Sequence, residues 1–296
     1  MRNVTVCGSG VLGSQIAYQA AFYGFNVIVY DINLDLLEKA ERKLQSFGEV
    51  YKKDLTATDQ EVGATLERVS YSGDLSKAVN NADIVIEAIP ENIEIKKKFY
   101  SQLGKAAPEK TIFCTNTSTL LPGSFAQDTG RPEKFLALHF ANQIWKNNTA
   151  EIMAHDRTDK QVFETVIQFA KSIGMIALPL YKEQPGYILN SLQVPLLLEA
   201  MSLYANGVAD PYTIDKTWMI ATKSPMGPFA ILDIIGFKTA YDVALIASKN
   251  SGNNEVSKVA SVLKEKYIDK GKLGVSTGEG FYSYPNPAYE KPDFIK

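Results

Sequence analysis

A glycine-rich segment near the start of the chain, residues 8–13 (GSGVLG), constrains the fold more than any other feature. It directly follows the apolar run VTVC and directly precedes SQIAYQAAFYG, a stretch with helical spacing. A G-x-G-x-x-G segment between a strand and a helix is typical of a strand–turn–helix unit in a parallel sheet. The first glycine permits the tight turn, and the third lets the helix pack closely on the strand.

The same turn is suited to a dinucleotide, because the helix that follows offers unpaired N–H groups and a positive dipole end to a pyrophosphate. Asp31 ends the next apolar run (VIVYD), 23 residues after Gly8. A carboxylate there accepts hydrogen bonds from the adenosine ribose and repels a 2′-phosphate, and no arginine follows it to bind NADP. A glycine turn without a ligand is the alternative, but strand, turn, helix and acid together favour NAD. The residues expected to line the cofactor here are Gly8, Ser9, Gly10, Val11, Leu12, Gly13 and Asp31.

Short β-branched runs alternate with longer helical stretches through the first half of the chain. This alternation predicts an α/β fold of the Rossmann type, with a doubly wound, mainly parallel sheet. Runs such as DIVIEAI and FLALHF are apolar throughout, as in strands that are buried on both faces. The predicted strands are residues 4–7, 27–30, 69–72, 84–88, 111–114, 135–140 and 175–181.

The segment KEQPG marks a predicted domain boundary, because Pro185 and Gly186 break regular structure. We predict a nucleotide-binding domain over residues 1–183 and an all-helical domain for the substrate and for dimerisation over residues 184–296. The helix expected from ILNSLQVPLLLEAMSLYANG is apolar on nearly every side. Such a helix is buried either by other helices or by a second subunit, so we expect a homodimer.

The composition excludes several classes of protein. The net charge of −2 argues against a nucleic acid as partner, since nucleic-acid binders usually carry a basic stripe. The two cysteines, Cys7 and Cys114, each end an apolar run, which indicates free thiols in a reducing compartment. We see no signal peptide, no run approaching the ~18 apolar residues of a membrane helix and no metal site. The expected location is the cytoplasm.

Polar residues follow several of the predicted strands. Glu91 comes after IVIEAIP, Ser118 after TIFCTNT, and His139 lies at the end of FLALHF. Ligands of a doubly wound sheet bind outside the carboxyl ends of its strands, where Gly8 and Asp31 are also expected. These positions therefore predict a site at that edge of the sheet.

His139 is the candidate base of this site, although a histidine that only packs at a strand end is the alternative. If the chain reverses around Trp145, residues 139 and 151 lie opposite each other across an antiparallel pair. Glu151 would then fix the tautomer of the imidazole and stabilise its protonated form. Oxidation of an alcohol by hydride transfer needs such a base for the hydroxyl proton. His155, by contrast, is expected to be a surface residue before a helix.

With these residues in view, the chain resembles the L-3-hydroxyacyl-CoA dehydrogenase family nearly end to end. Each segment alone is weak evidence, whereas the set is specific. The segments are CGSGVLGSQIA, VYDIN, IEAIPENIEIKKKFY, CTNTSTL, ALHFAN, AEIM, PGYILN, KSPMGPFAILDIIG and STGEGFY.

The resemblance implies transfer of a hydride between NAD and C3 of a 3-hydroxyacyl-CoA, which we expect to be short-chained. It implies that His139 is the general base, that Glu151 orients it and that Ser118 binds the reacting oxygen. Asn190 would support the substrate carbonyl. Glu91 and Lys96 match the family positions that bracket the nicotinamide ribose.

The chain departs from the family pattern at four positions. Ala141 and Gln143 replace the second phenylalanine and the proline of HFFNP, Ser191 replaces an arginine, and Ser276 replaces a lysine before the TGEGFY-like ending. These changes affect the acyl pocket and the cofactor contacts expected from the resemblance.

Five other polar residues stand out in the sequence. Lys52 and Lys53 either meet the phosphates of CoA or are solvated lysines. Asp233 is expected to cap or orient a bend between helices, and Tyr282 and Tyr284 are expected to pack the C-terminal tail.

Two other functions stay open at this point. One is an NAD-dependent dehydrogenase of the same architecture that acts on a free hydroxy acid, similar to L-gulonate dehydrogenase and lambda-crystallin. The other is a non-catalytic protein that keeps the fold as a binding or structural module, although the presence of His139 argues against it.

Overall fold

The computed structural model describes residues 1–251 and 254–296, which form two compact units, residues 1–188 and 189–296. The predicted boundary after residue 183 lies slightly before the division between these units. We describe each unit by itself.

The first unit contains an eight-stranded sheet with the order β3-β2-β1-β4-β5-β6-β7-β8. Neighbouring strands are parallel except that β7 runs antiparallel to β6. The strands are β1 (Asn3–Cys7), β2 (Asn26–Tyr30), β3 (Val69–Ser72), β4 (Ile84–Glu87), β5 (Ile112–Thr115), β6 (Phe135–Phe140), β7 (Thr149–Met153) and β8 (Ile176–Leu180). The predicted doubly wound, mainly parallel sheet is therefore confirmed.

Helices cover both faces of this sheet, as the buried, apolar strands require. A large apolar core forms on one face and a second core, built around Tyr100, Phe113 and Phe135, lies on the other. The helices of the first unit are α1 (Val11–Phe22), α2 (Leu34–Leu55), α3 (Asp59–Glu67), α4 (Leu75–Val79), α5 (Ile93–Ala106) and α6 (Lys160–Ser172). The next helix, α7 (Tyr187–Ala205), begins in this unit.

Within the described residues, the second unit is helical, as predicted. It continues α7 and adds α8 (Pro211–Thr222), α9 (Pro228–Ile235), α10 (Phe237–Ser251) and α11 (Asn254–Lys266). Its core is aromatic and includes Phe229, Phe237 and Phe281.

Two buried aspartates connect the helices of this unit to its tail. Asp215 accepts hydrogen bonds from the first-turn N–H groups of Phe229 and Ala230, so it caps α9. Asp233 instead accepts from the N–H groups of Phe281 and Tyr282 in the tail. The prediction that Asp233 caps or orients the bend before α9 was wrong, because Asp215 caps this helix and Asp233 binds the tail instead.

The predicted tail tyrosines also do more than pack. Tyr282 donates its hydroxyl to Asp215 at 2.9 Å, and Tyr284 donates to Asp233 at 3.0 Å. Because a buried carboxylate is costly without donors, these hydroxyls stabilise the unit as hydrogen-bond partners.

α7 differs from the sequence expectation. With 19 residues and a mean hydropathy of 1.2, it is long and apolar enough to cross a membrane by length and composition alone, although no uninterrupted apolar run is present. A soluble core helix passes the same test, so this is weak evidence for a membrane. Only 17% of that stretch is buried, and Leu189 and Leu192 are exposed. The other helices, as far as the structure describes them, therefore do not bury α7 on all sides.

Candidate active site

The glycine turn has no room for side chains at two of its three glycines. Gly8 has a φ of +103°, and a Cβ there would lie 2.4 Å from the carbonyl oxygen of Ala88. A Cβ on Gly13 would lie 1.9 Å from the carbonyl oxygen of Gly8. The turn thus brings the start of α1 directly against the ends of β1 and β4, as predicted for the first and third glycines.

The middle glycine faces open space instead, since a Cβ on Gly10 would meet nothing within 4 Å. α1 begins after Gly10 with no side-chain cap and no acidic residue in its first turn. The first N–H groups of a helix have no intrahelical partners, so these groups are available to a phosphate. This arrangement fits the pyrophosphate of a dinucleotide, with Ser9, Val11 and Leu12 completing the turn.

Asp31 is anchored to the same turn. Its Oδ2 accepts hydrogen bonds from the backbone N–H of Ser9 at 2.9 Å and from the Ser9 hydroxyl at 2.7 Å. The carboxylate is therefore held at the carboxyl end of β2, next to the phosphate-binding turn. A carboxylate in this place suits the ribose hydroxyls of NAD and disfavours the additional phosphate of NADP.

His139 and Glu151 are directly paired in the antiparallel ladder between β6 and β7, which confirms the predicted register. The Nδ1 atom of His139 lies 3.1 Å from Oε2 of Glu151. On the other side of the ring, Nε2 lies 3.2 Å from the hydroxyl oxygen of Ser118. If Glu151 accepts the Nδ1 proton, Nε2 is left as the acceptor that faces Ser118.

The loop that carries Ser118 is held by Glu91. Oε1 of Glu91 accepts hydrogen bonds from the N–H groups of Ser118 and Thr119, at 3.1 and 3.0 Å, and from the hydroxyls of Thr117 and Thr119. Burial alone would raise the pKa of Glu91, but the Thr117 and Thr119 donors and the charge of Lys96 outweigh it and hold this pKa at about 2. Glu91 is therefore a fixed negative charge at this edge of the sheet.

Lys96 lies beneath Glu91 and is only 1% exposed. Its ammonium group is 2.5 Å from Oε1 of Glu87 and 3.3 Å from Oε2 of Glu91. Glu87, at the end of β4, also accepts hydrogen bonds from Tyr100 and Thr115. Sequence reasoning missed Glu87, although an acid within the apolar run DIVIEAI was a signal for a buried ionic partner.

Tyr187 is the second residue that sequence reasoning missed. Its ring stacks on the imidazole of His139, with centroids 4.5 Å apart and an angle of 26° between the planes. Its hydroxyl donates to the carbonyl oxygen of Thr117 at 2.7 Å. The next residue, Ile188, donates its N–H to Oε1 of Glu151 at 2.9 Å. The segment PGYILN carried no sequence signal that it would contact His139.

The loop after His139 explains one departure from the family pattern. Gln143 has a φ of +58°, which the ring of proline forbids. Its N–H, which proline lacks, donates to the side-chain oxygen of Gln15 at 2.8 Å. A proline at position 143 could therefore not adopt the backbone conformation of this loop. At position 141, alanine fills less space than the phenylalanine of the family pattern.

The remaining predicted site residues belong to α2 of the first unit or to the second unit, which is described by itself. Asn190 and Ser191 belong to α7 within the second unit, and Ser276 is exposed in the tail of that unit. Lys52 forms ion pairs with Glu49 and Asp59, so it has acidic neighbours and is not solvated alone. The roles assigned to these residues stay predictions.

The prediction for His155 was wrong, because the side chain is buried. Its Nε2 donates to the carbonyl oxygen of Pro132 at 3.0 Å, and its Nδ1 accepts from the N–H of Arg157 at 3.3 Å. Both ring nitrogens therefore have local partners, which allows burial among the charges that suggested a surface position. Burial lowers the pKa of His155.

The first unit thus places two kinds of chemistry at one edge of its sheet. The glycine turn and Asp31 can hold a dinucleotide. Ser118, His139 and Glu151 form a chain of hydrogen-bonding groups suited to accepting a proton. The described residues contain no cluster of side chains that could hold a metal ion.

Known proteins share both units. The sequence profile of the NAD-binding domain of 3-hydroxyacyl-CoA dehydrogenases matches residues 3–184, and the profile of their C-terminal domain matches residues 186–284. The profile match identifies the dinucleotide of the first unit as NAD.

Individual relatives extend this similarity over nearly the whole chain. Mitochondrial hydroxyacyl-coenzyme A dehydrogenase of Homo sapiens is 35% identical over 96% of this chain and 91% of its own. A probable 3-hydroxybutyryl-CoA dehydrogenase of Bacillus subtilis is 32% identical over 96% of this chain and 98% of its own. The solved structure of a diketoreductase that acts on dicarbonyl compounds has a TM-score of 0.91 at 52% identity, covering 96% of this chain and 99% of that chain. The chain therefore belongs to the 3-hydroxyacyl-CoA dehydrogenase family.

Proposed function

We propose that the protein interconverts a short-chain 3-hydroxyacyl-CoA and the corresponding 3-ketoacyl-CoA with NAD as the hydride carrier. The observation that carries this proposal is the row of groups Ser118, His139 and Glu151 at the same sheet edge as the glycine turn. The human and Bacillus subtilis relatives, named for hydroxyacyl-CoA substrates, support the substrate class.

In the oxidative direction, Nε2 of His139 takes the proton of the substrate hydroxyl. Glu151 keeps the Nδ1 proton in place and stabilises the imidazolium that forms. The Ser118 hydroxyl hydrogen-bonds the reacting oxygen, and in the reductive direction the imidazolium returns its proton to that oxygen. Bound NAD supplies the acceptor for the hydride that leaves C3. Asn190 is the candidate for holding the thioester carbonyl.

The decisive experiment compares wild-type protein with His139→Gln, using acetoacetyl-CoA with NADH and 3-hydroxybutyryl-CoA with NAD. We expect kcat of the variant to fall at least about a hundredfold, the scale of general-base catalysis, while the affinity for NADH stays nearly unchanged. His155→Gln replaces the other of the two histidines and serves as the matched control. Near-wild-type turnover of His139→Gln would exclude His139 as the base.

A second candidate is reduction of a small dicarbonyl compound that carries no CoA. The 52% identity to the diketoreductase, compared with 35% to the human CoA dehydrogenase, favours it. Rates of NADH oxidation with acetoacetyl-CoA, acetylacetone, ethyl acetoacetate and free acetoacetate separate these functions. A higher kcat/KM for an uncharged diketone than for the thioester would select the second candidate, and preference for free acetoacetate would revive the hydroxy-acid alternative.

We also propose that the protein is a homodimer in the cytoplasm. The exposed apolar side chains of α7, including Leu189 and Leu192, support a second subunit that covers this helix. The buried free thiols Cys7 and Cys114 support a reducing compartment. Size-exclusion chromatography with light scattering tests the dimer, and a monomer at micromolar concentration contradicts it.

A further inference from the structure

We propose that Tyr187 is a positioning residue that fixes the imidazole of His139 relative to Ser118 and Glu151. This inference rests on the proposed role of His139 as the base. Three separate contacts support this role, and they are made by the ring, by the hydroxyl and by the backbone N–H that follows Tyr187.

The ring of Tyr187 covers one face of the imidazole. Its stacking distance of 4.5 Å and interplanar angle of 26° correspond to a near-parallel pair. Tyr187 is 1% exposed and packs against Ala137, Met153 and Leu180, so the ring cannot move away without opening this cluster. Because the imidazole is held flat against a fixed surface, rotation about its Cβ–Cγ bond is restricted.

The hydroxyl of Tyr187 connects the imidazole to the loop of Ser118. It donates to the carbonyl oxygen of Thr117, the residue directly before Ser118, at 2.7 Å. Burial, with the nearby charges of Glu91 and Glu151, raises the pKa of Tyr187 far above its usual range. The hydroxyl therefore stays protonated and remains a donor to Thr117.

The backbone after Tyr187 holds the other partner of the base. The N–H of Ile188 donates to Oε1 of Glu151 at 2.9 Å, whereas Oε2 of the same carboxylate faces His139. Gly186 and Tyr187 both have a positive φ, +79° and +57°. A left-handed backbone is unfavourable for tyrosine, so the contacts of this residue must stabilise the turn.

One residue thus reaches both neighbours of the imidazole as well as the imidazole itself. Phenylalanine at this position would keep the stacking and the turn but lose the tether to Thr117. Leucine would lose the stacking as well. The two replacements therefore separate the contribution of the hydroxyl from that of the ring.

The test measures kcat, KM and NADH affinity for Tyr187→Phe and Tyr187→Leu with the better substrate of the previous section. We expect kcat of Tyr187→Phe to fall about threefold to tenfold, the effect of one lost hydrogen bond. The kcat of Tyr187→Leu should be about tenfold lower than that of Tyr187→Phe, as expected for a misplaced catalytic group. The dissociation constant of NADH, measured by fluorescence, should change less than about twofold in both.

A double-mutant cycle separates this proposal from a general structural role. If Tyr187 acts through His139, adding Tyr187→Phe to His139→Gln should lower the residual kcat no further. Tyr51→Phe is the matched control, since Tyr51 is buried in the same unit and donates its hydroxyl to Gln19 away from this site.

The outcomes are distinct. Wild-type kcat in Tyr187→Phe and Tyr187→Leu, with His139→Gln inactive, overturns the positioning role and leaves the proposed function intact. The positioning role is also overturned if Tyr187→Phe lowers kcat by the same factor in the wild-type protein and in the His139→Gln variant. An active His139→Gln variant would instead remove the proposed base.

Discussion

The carboxylate of Glu151 faces the imidazole with one oxygen and the backbone with the other, since Oε2 lies 3.1 Å from Nδ1 of His139 and Oε1 accepts the N–H of Ile188 at 2.9 Å. The side chain is only 7% exposed, so water competes little for either oxygen. Its orientation is therefore fixed by the protein before a substrate binds.

Replacing Glu151 with glutamine keeps the size of the side chain but removes its charge. We expect kcat to fall at least about a hundredfold, because the imidazolium formed during proton transfer loses its counter-charge. NADH affinity should change little. Steady-state kinetics with NADH titrations checks this, and a loss confined to KM would argue against a role of Glu151 in proton transfer.

The glycines of the turn should differ sharply when replaced with alanine. Gly10→Ala has space for its Cβ and keeps an allowed φ of −63°, so the protein should fold normally but bind NADH at least about tenfold more weakly. Gly13→Ala would press its Cβ into the carbonyl oxygen of Gly8 and should lower the melting temperature. Thermal melts and NADH fluorescence measure both, and equal stability of the two variants contradicts this geometry.

Asp31 should control cofactor choice. Asp31→Ala removes the carboxylate that we expect to meet the adenosine ribose, so the Kd of NADH should rise about tenfold, the effect of losing a hydrogen bond to a charged group. The preference for NADH over NADPH should shrink, because the repulsion of a 2′-phosphate is lost. Asp35→Ala, four residues further in the exposed first turn of α2, is the control. An unchanged ratio of the two affinities would place the ribose elsewhere.

The buried pair of Lys96 and Glu87 should be important for stability. Lys96→Met leaves Glu87 as a buried charge without its ammonium partner, which costs about 3–5 kcal/mol. Adding Glu87→Gln should recover much of this loss, since the unpaired charge disappears. Denaturant unfolding of the single and double variants measures the coupling, with exposed Lys98→Met as the control. The pairing would be contradicted if the losses in free energy of unfolding of the two single variants simply added in the double variant.

The pH dependence of stability should contain a contribution from Glu91. Its folded-state pKa of about 2 lies below the ordinary value of 4.5, so its stabilising effect is complete above pH 4.5 and is lost as the pH falls toward 2. Glu91→Gln should therefore be less stable than wild type at pH 7, with a difference that shrinks on acidification. Thermal melts from pH 7 to pH 3 test this, and Glu94→Gln removes an exposed acid nearby as the control.

The sheet and the glycine turn were predictable because their signals are local. Apolar runs and the spacing of Gly8, Gly10 and Gly13 reflect strand, turn and helix directly. The pairing of His139 with Glu151 was also predictable, since one reversal between two adjacent strands fixes the register. Each of these inferences uses neighbours in sequence or consecutive strands.

The contacts that were missed depend on how helices and loops pack against the strands. Glu87 meets Lys96 and Tyr100 only because α5 folds back over the end of β4. Tyr187 contacts His139 although three elements, β7, α6 and β8, separate it from β6 in the chain. The error at His155 has a similar cause, because the carbonyl oxygen of Pro132 that allows its burial lies in a separate segment. No sequence motif with a fixed spacing predicts these contacts.

The reversed direction of β7 has a wider consequence for how this edge of the sheet can evolve. The parallel strands of this sheet end at the edge that carries the site, and each continues there into a loop whose length and composition vary easily. β7 instead enters from the crevice side, so Glu151 belongs to a hydrogen-bonded ladder with β6 and β8 on its two flanks. The carboxylate that faces the imidazole is thereby held by strand pairing on both sides, whereas Ala141 and Gln143 lie in the loop after β6, outside this ladder.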